Sequence, residues 1–195
     1  MSAQTGATEL PHDAISEWKP SGVTIWAWVI LCIPLLWFGV GIYVASATHG
    51  ASHVEGTIKS GEILVELLIA AALTLALACI HEAVHGLPMI AFGAKPQFGV
   101  LRYKGFPMGL YATSPGHRFT RRQYLIVCLA PLAILSPLGV ALCWLPFGGY
   151  LVVPFAAQFA GCIGDITITW HVLRAPSGAA CEDMRDGTRF WTAEA

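Results

Sequence analysis

The chain has 195 residues, of which 55% are hydrophobic and only 12% charged, about half the charged fraction of an ordinary soluble domain. That composition argues against a soluble globule and for one compact membrane domain of a few spans. The formal charge of −1 points to no nucleic-acid partner, and no interleaving of basic and aromatic residues suggests one.

Residues 1–22 are polar, with Glu9, Asp13 and Glu17 against Lys19, and read as a short flexible tail. Val23 to Ala47 follows without a charge, long enough to span a bilayer, with Pro34 as a kink. Ala45-Ser46-Ala47 resembles a signal-peptidase site, but the apolar run is too long for a signal h-region and the leader has no basic start. The expectation is an uncleaved anchor. A polar loop from Thr48 to Gly61 carries His49, His53, Glu55 and Lys59. A second apolar segment, Glu62 to Phe92, exceeds the roughly 20 residues a span needs, so it must tilt, protrude or break. Gly86 and Pro88 are the place to break, because Pro88 cannot donate to the Val84 carbonyl.

Lys95 to Thr113 changes character. Runs Phe98–Tyr103 and Phe106–Ala112 flank Lys104-Gly105 and read as a β-hairpin, with Pro107 confining the second strand to an edge. An open edge beside a reactive site can hold an extended peptide by strand addition; a re-entrant loop that plugs the bundle fits the same residues. Thr120-Arg121-Arg122-Gln123 is a capping box that opens a third span, Gln123 to Trp144, interrupted by Pro131 and Pro137. Arg118, Arg121 and Arg122 read as a topological anchor. After Gly148-Gly149 a fourth span runs from Tyr150 to about Leu173, and residues 174–195 form a charged tail. Of the six cysteines, five (Cys32, Cys79, Cys128, Cys143 and Cys162) lie in apolar segments and Cys181 in the tail; without a Cys-x-x-Cys pair they read as reduced thiols.

With four spans, the N-terminal tail, the 93–122 loop and the C-terminal tail share one side. That side holds ten of the 11 Lys and Arg residues, leaving only Lys59 opposite. The positive-inside rule then places both termini in the cytoplasm, across the cell membrane from Lys59.

The second span carries His81-Glu82-Ala83-Val84-His85. Residues i and i+4 share a helix face about 6 Å apart along the axis, so both imidazoles reach one metal ion. Glu82 stands to the side of that pair, placed to act on a metal-activated water. Ionisable groups cost several kcal/mol in a bilayer and mark function by default; the alternative is a polar cluster packing helices. A catalytic zinc needs a third protein ligand. Asp165, the sole acid of the fourth span, lies about nine residues, or roughly 13 Å, before Arg174. His85 lies at a matching depth before Lys95, and Gly161 and Gly164 leave a small face beside Asp165. Satisfaction of Asp165 by Thr167, Thr169 or backbone is the competing reading. Glu62 and Glu66 sit at the wrong depth for His85 and read as interfacial charges; His117 and His171 read as structural or solvated.

His81-Glu82-Ala83-Val84-His85-Gly86 late in a span, an Ala130-Pro131 span, Gly164-Asp165-Ile166 and an Asp-containing polar tail together resemble the bacterial putative zincin peptidases, a group long described only as a domain of unknown function. The plan is similar to the site-2 protease class of intramembrane zinc metalloproteases, although Asp165 is followed by Ile166 and no Asn-Pro lies nearby. The resemblance covers roughly residues 62–190. It implies zinc held by His81, His85 and Asp165, with Glu82 as general base and peptide hydrolysis within or beside the membrane.

The expected molecule is therefore an all-α membrane protein of four transmembrane helices over residues 23–173, with a small β-hairpin or re-entrant insertion between helices 2 and 3 and cytoplasmic tails at 1–22 and 174–195. The expected activity is zinc-dependent hydrolysis of a membrane-embedded or membrane-proximal protein substrate. A non-catalytic membrane protein with a structural or regulatory metal, or a metal transporter, are the alternatives from other classes.

Overall fold

A computed structural model describes residues 14–49, 63–103, 106–185 and 187–192. Expectations for residues 1–13, for His53, Glu55, Lys59 and Glu62, and for the Lys104-Gly105 turn fall outside the described residues.

Among the described residues, four helical segments are long and apolar enough to cross a membrane. Helix α1 (Gly22–His49) and helix α2 (Ile63–Ala91) carry Pro34 and Pro88 inside them. Only 6% of the most apolar window of each is buried, so their apolar surface needs lipid rather than water around it. Pro88, where the sequence expects the helix to bend, lies inside α2. Its helix runs on to Ala91 and stops at Gly93, whose φ of 84° is the left-handed conformation that glycine adopts cheaply, as the Ala94 N–H donates to the Met89 carbonyl.

Strands β2 (Gln97–Tyr103) and β3 (Phe106–Thr113) form the expected antiparallel hairpin, with an irregularity between Leu101 and Arg102, close to where Pro107 pairs. The hairpin lies on α2: a Cβ on Gly86 would come within 2.8 Å of the Phe98 ring, so only glycine lets the strand approach this closely. After the short strand β4 (Arg118–Thr120), helix α3 (Arg121–Cys143) starts at the expected capping box. Thr120 accepts from the Gln123 N–H, and the Gln123 side chain accepts from the Thr120 N–H. The fourth span is not one helix. A 3-10 turn (Gly148–Leu151) leads into α4 (Val152–Gly161), the chain shifts at Cys162, and α5 (Ile163–Arg174) completes the crossing.

The tails differ from the expectation of flexible or merely charged segments. Strand β1 (Ala14–Trp18) pairs with β6 (Gly187–Trp191), β6 with β5 (Ala180–Met184), and β5 with β4, all antiparallel. Hydrogen bonds from Arg189 to Glu17 and the Lys19 contact at 2.7 Å tie β1 down. Lys19 and then Arg189 hold the Glu17 carboxyl below its ordinary range. Glu182 on β5 accepts from the Trp191 indole at 3.0 Å and from the Gly116 N–H at 2.7 Å. Short polar strands with little periodicity gave no reason to pair until their partners from the far end of the chain were present.

Buried side chains form two clusters. One, around Tyr43, Leu135, Phe155 and Ala156, joins α1, α2, α3 and α4. The other, around Met89, Phe119, Tyr124, Val172 and Phe190, seals the helix ends against the four-stranded sheet. Val84 belongs to the first and Met89 to the second, so His85 sits at the seam between them.

Candidate metal centre

One turn of α2 presents His81, Glu82 and His85, and the first turn of α5 presents Asp165. The chain shift at Cys162 makes that a helix start: Asp165 stands three residues in, where the positive end of the helix dipole favours a carboxylate. His81 Nε2 lies 3.3 Å from Asp165 Oδ2, and His85 Nε2 lies 3.3 Å from Asp165 Oδ1. The imidazole centroids are 5.0 Å apart at 74°. All three side chains are largely buried.

The orientation of His85 has a local cause in α3. In a regular helix the Val127 carbonyl would accept from the N–H of residue 131, but residue 131 is proline and has none. The freed carbonyl instead accepts from His85 Nδ1 at 2.8 Å. Because a carbonyl only accepts, Nδ1 carries the proton and Nε2 keeps its lone pair toward Asp165. Pro131, which reads in the sequence as an interruption of a span, is thus what releases a partner for His85.

Neither of the competing side chains bonds Asp165. Thr167 donates to the Ile163 carbonyl and accepts from the Trp28 indole, and Thr169 Oγ1 has no partner. Asp165 Oδ2 is buried and accepts no hydrogen bond, even though His81 Nε2 lies 3.3 Å away. A buried carboxylate oxygen without a hydrogen needs a cation. The donor set suits one: metal–ligand bonds of about 2.0–2.1 Å at tetrahedral angles place donors roughly 3.3 Å apart, and the candidate ligand atoms of His81, His85 and Asp165 all lie within 4.8 Å of one another.

Residues 74–180 match the model of a protein family described as "Putative zincin peptidase". The chain belongs to that family. The matched stretch holds the His-Glu-x-x-His turn, the hairpin, Pro131 and Asp165. No curated protein and no solved structure matches the chain.

Around this family core the structure adds residues that the sequence did not single out. A cavity of about 220 Å³ opens beside the three side chains, lined among others by Glu82, His85, Asp165, Tyr111, Tyr124 and Asp183. Leu110, Tyr111 and Ala112 on β3 line the same cavity as Glu82, so the hairpin forms one wall beside that side chain. Asp183 comes from β5 and accepts from the Tyr124 hydroxyl at 2.8 Å, while its backbone carbonyl accepts from Thr113 at 2.8 Å. Burial pushes the Asp183 carboxyl up to about 7, against the opposing pull of the Tyr124 bond. An acid in a polar tail gives no sequence signal of this kind; only the pairing of β5 with β4 carries it to the helix ends.

The other residues weighed in the sequence lie apart from the centre. His171 stacks on Trp18 at 4.4 Å, His117 packs against Phe119 at 4.5 Å, and Glu66 is exposed on α2. All six cysteines are free.

Proposed function

We propose that the protein is a zinc-dependent peptidase that cleaves a membrane-embedded or membrane-proximal protein within or beside the bilayer. The observation that carries this reading is the convergence of His81, His85 and Asp165 on one point with Glu82 beside it. Zinc bound there would acidify a water and polarise the scissile carbonyl. Glu82 takes the proton of the attacking water and returns it to the departing amine, as a carboxylate at this position can do for both steps. Among the described residues the group has three ligand residues rather than four, and a cavity adjoins it. Both features favour an open, catalytic site over a closed structural one.

The same reading extends to topology. Strands that precede α1, precede α3 and follow α5 share one sheet, and a sheet cannot straddle a bilayer. The excess of Lys and Arg in and beside that sheet supports the reading that it faces the cytoplasmic side of the cell membrane.

The deciding experiment is Glu82→Gln in detergent-purified protein. The variant keeps stoichiometric zinc while cleavage of a membrane-embedded test peptide falls by about 10²–10⁴-fold, the span attributed to a general base. Undiminished turnover in that variant removes the mechanism.

A further inference from the structure

Among the described residues, three carboxyl groups line the cavity of about 220 Å³: Glu82, Asp165 and Asp183. The proposed reaction employs Asp165 as a ligand and Glu82 as a base, and has no part for Asp183. Three elements nevertheless fix Asp183 at that wall. Its Oδ1 accepts from Tyr124 on α3, the Tyr124 hydroxyl contacts Thr188 on β6, and the Asp183 backbone carbonyl accepts from Thr113 at the end of β3.

Asp183 is only 9% exposed, and among the described residues no Lys or Arg pairs with it. Its Oδ2 accepts no hydrogen bond there, yet that atom is not sealed off: it keeps accessible surface on a side chain that lines the cavity. One oxygen is thus left for whatever enters. The neighbouring walls suit a cation. Trp18 and Trp28, with ring centroids 6.5 Å apart, line the same cavity as Tyr111, and ring faces attract positive charge. Arg185, the one Lys or Arg in the described lining, is exposed and lies over the Tyr111 ring, 5.4 Å from its centroid, rather than on the carboxyl.

We infer that Asp183 selects the substrate: its open oxygen accepts the ammonium of a lysine beside the scissile bond, and the lysine stem lies among Trp18, Trp28 and Tyr111. The inference rests on the peptidase reading and names the residue type that its substrate carries near the cut. A single open oxygen matches an ammonium, which acts as a point charge, better than a guanidinium, whose fork calls for two. Burial works against the ionised carboxyl, and an ammonium beside it offsets that effect. On the topology proposed above, Asp183 belongs to the cytoplasmic side. Membrane proteins gather lysine and arginine at that end of their spans, so a juxtamembrane lysine is within reach of this wall.

Matched hydroxamates test this by calorimetry on zinc-loaded protein in detergent. The hydroxamates of lysine and norleucine, each acetylated on the α-amine, share a metal-binding head and an alkyl chain and differ in the terminal ammonium. Those of ornithine and norvaline make the same comparison one methylene shorter. Wild type binds the better ammonium probe about 10–100-fold more tightly than its apolar match, the range for one hydrogen bond to a charged group. In Asp183→Asn, which keeps the shape and loses the charge, that preference disappears, while zinc content and affinity for the apolar probes stay at wild-type values. Zinc content identifies a variant that has lost its fold, and Asp183→Ser then decides in its place. An ammonium probe that binds wild type no better than its apolar match overturns the inference and leaves the peptidase reading standing. So does an ammonium preference that survives in the zinc-replete variant. If no probe binds zinc-loaded wild type, the peptidase reading itself fails and this inference with it.

Discussion

Asp165 and Asp183 line the same cavity, yet the protein treats the two acids in opposite ways. Asp165 stands at the start of α5 with an imidazole 3.3 Å from each oxygen and one oxygen that accepts no hydrogen bond. Asp183 stands on a strand of the four-stranded sheet, bonded to the Tyr124 hydroxyl, which also contacts Thr188 at 3.0 Å. The first has surroundings that complete themselves with a cation; the second has surroundings that complete themselves with a proton. Burial alone assigns no role to a carboxylate: the number and type of its neighbours does.

The comparison breaks most sharply in metal content. Asp165→Ala loses stoichiometric zinc and with it all cleavage, whereas Asp183→Asn keeps zinc; elemental analysis of the purified proteins reads both, and equal zinc in the two variants would erase the distinction. A smaller effect is expected at Pro131→Ala. The new N–H competes for the Val127 carbonyl, and loss of that partner to His85 weakens metal affinity about 10–100-fold, the usual penalty for removing a ligand's outer hydrogen bond. A competition titration with a chromophoric chelator measures it, and unchanged affinity would show that His85 needs no such support.

The proton on Asp183 predicts a pH dependence. Its folded value of about 7 lies above the ordinary 3.8, so the folded state binds more protons than the unfolded state between those values, and this group's contribution to stability falls as pH rises through that window. Thermal unfolding compared between wild type and Asp183→Asn checks the sign: the variant gains on wild type as pH climbs from about 4 to 7 and holds its advantage above. A gap that narrows over the same range would mean that the carboxyl is ionised in the fold. The smallest effect belongs to Tyr124→Phe, which removes one buried hydroxyl and costs about 1–2 kcal/mol with zinc content unchanged.

The same pair shows what was legible in the sequence. Asp165 stood out because a charge in an apolar run has no cheap explanation, and the two histidines stood out by spacing. The capping box at Thr120 and the hairpin of β2 and β3 were equally local, since each is fixed by residues within a few positions of one another. Asp183 was hidden because a carboxylate in a polar tail is unremarkable until distant strands pair. The shift at Cys162 was hidden too: Gly161 and Gly164 suggested a small helix face, not a new helix start that lends Asp165 a dipole. Pro131 was read as damage to a helix, whereas its effect is felt on another helix through the carbonyl it releases.

The strand nearest the N-terminus is bonded to the strand nearest the C-terminus, with Glu17 and Arg189 separated by 172 positions. A ribosome therefore delivers one half of this pairing long before the other, with helices α1 to α5 made in between, and ordering so long a loop is slow. Until the last strands are made, β1 is unclasped and the cavity lacks the wall that Asp183 provides, so the two distant segments complete it together.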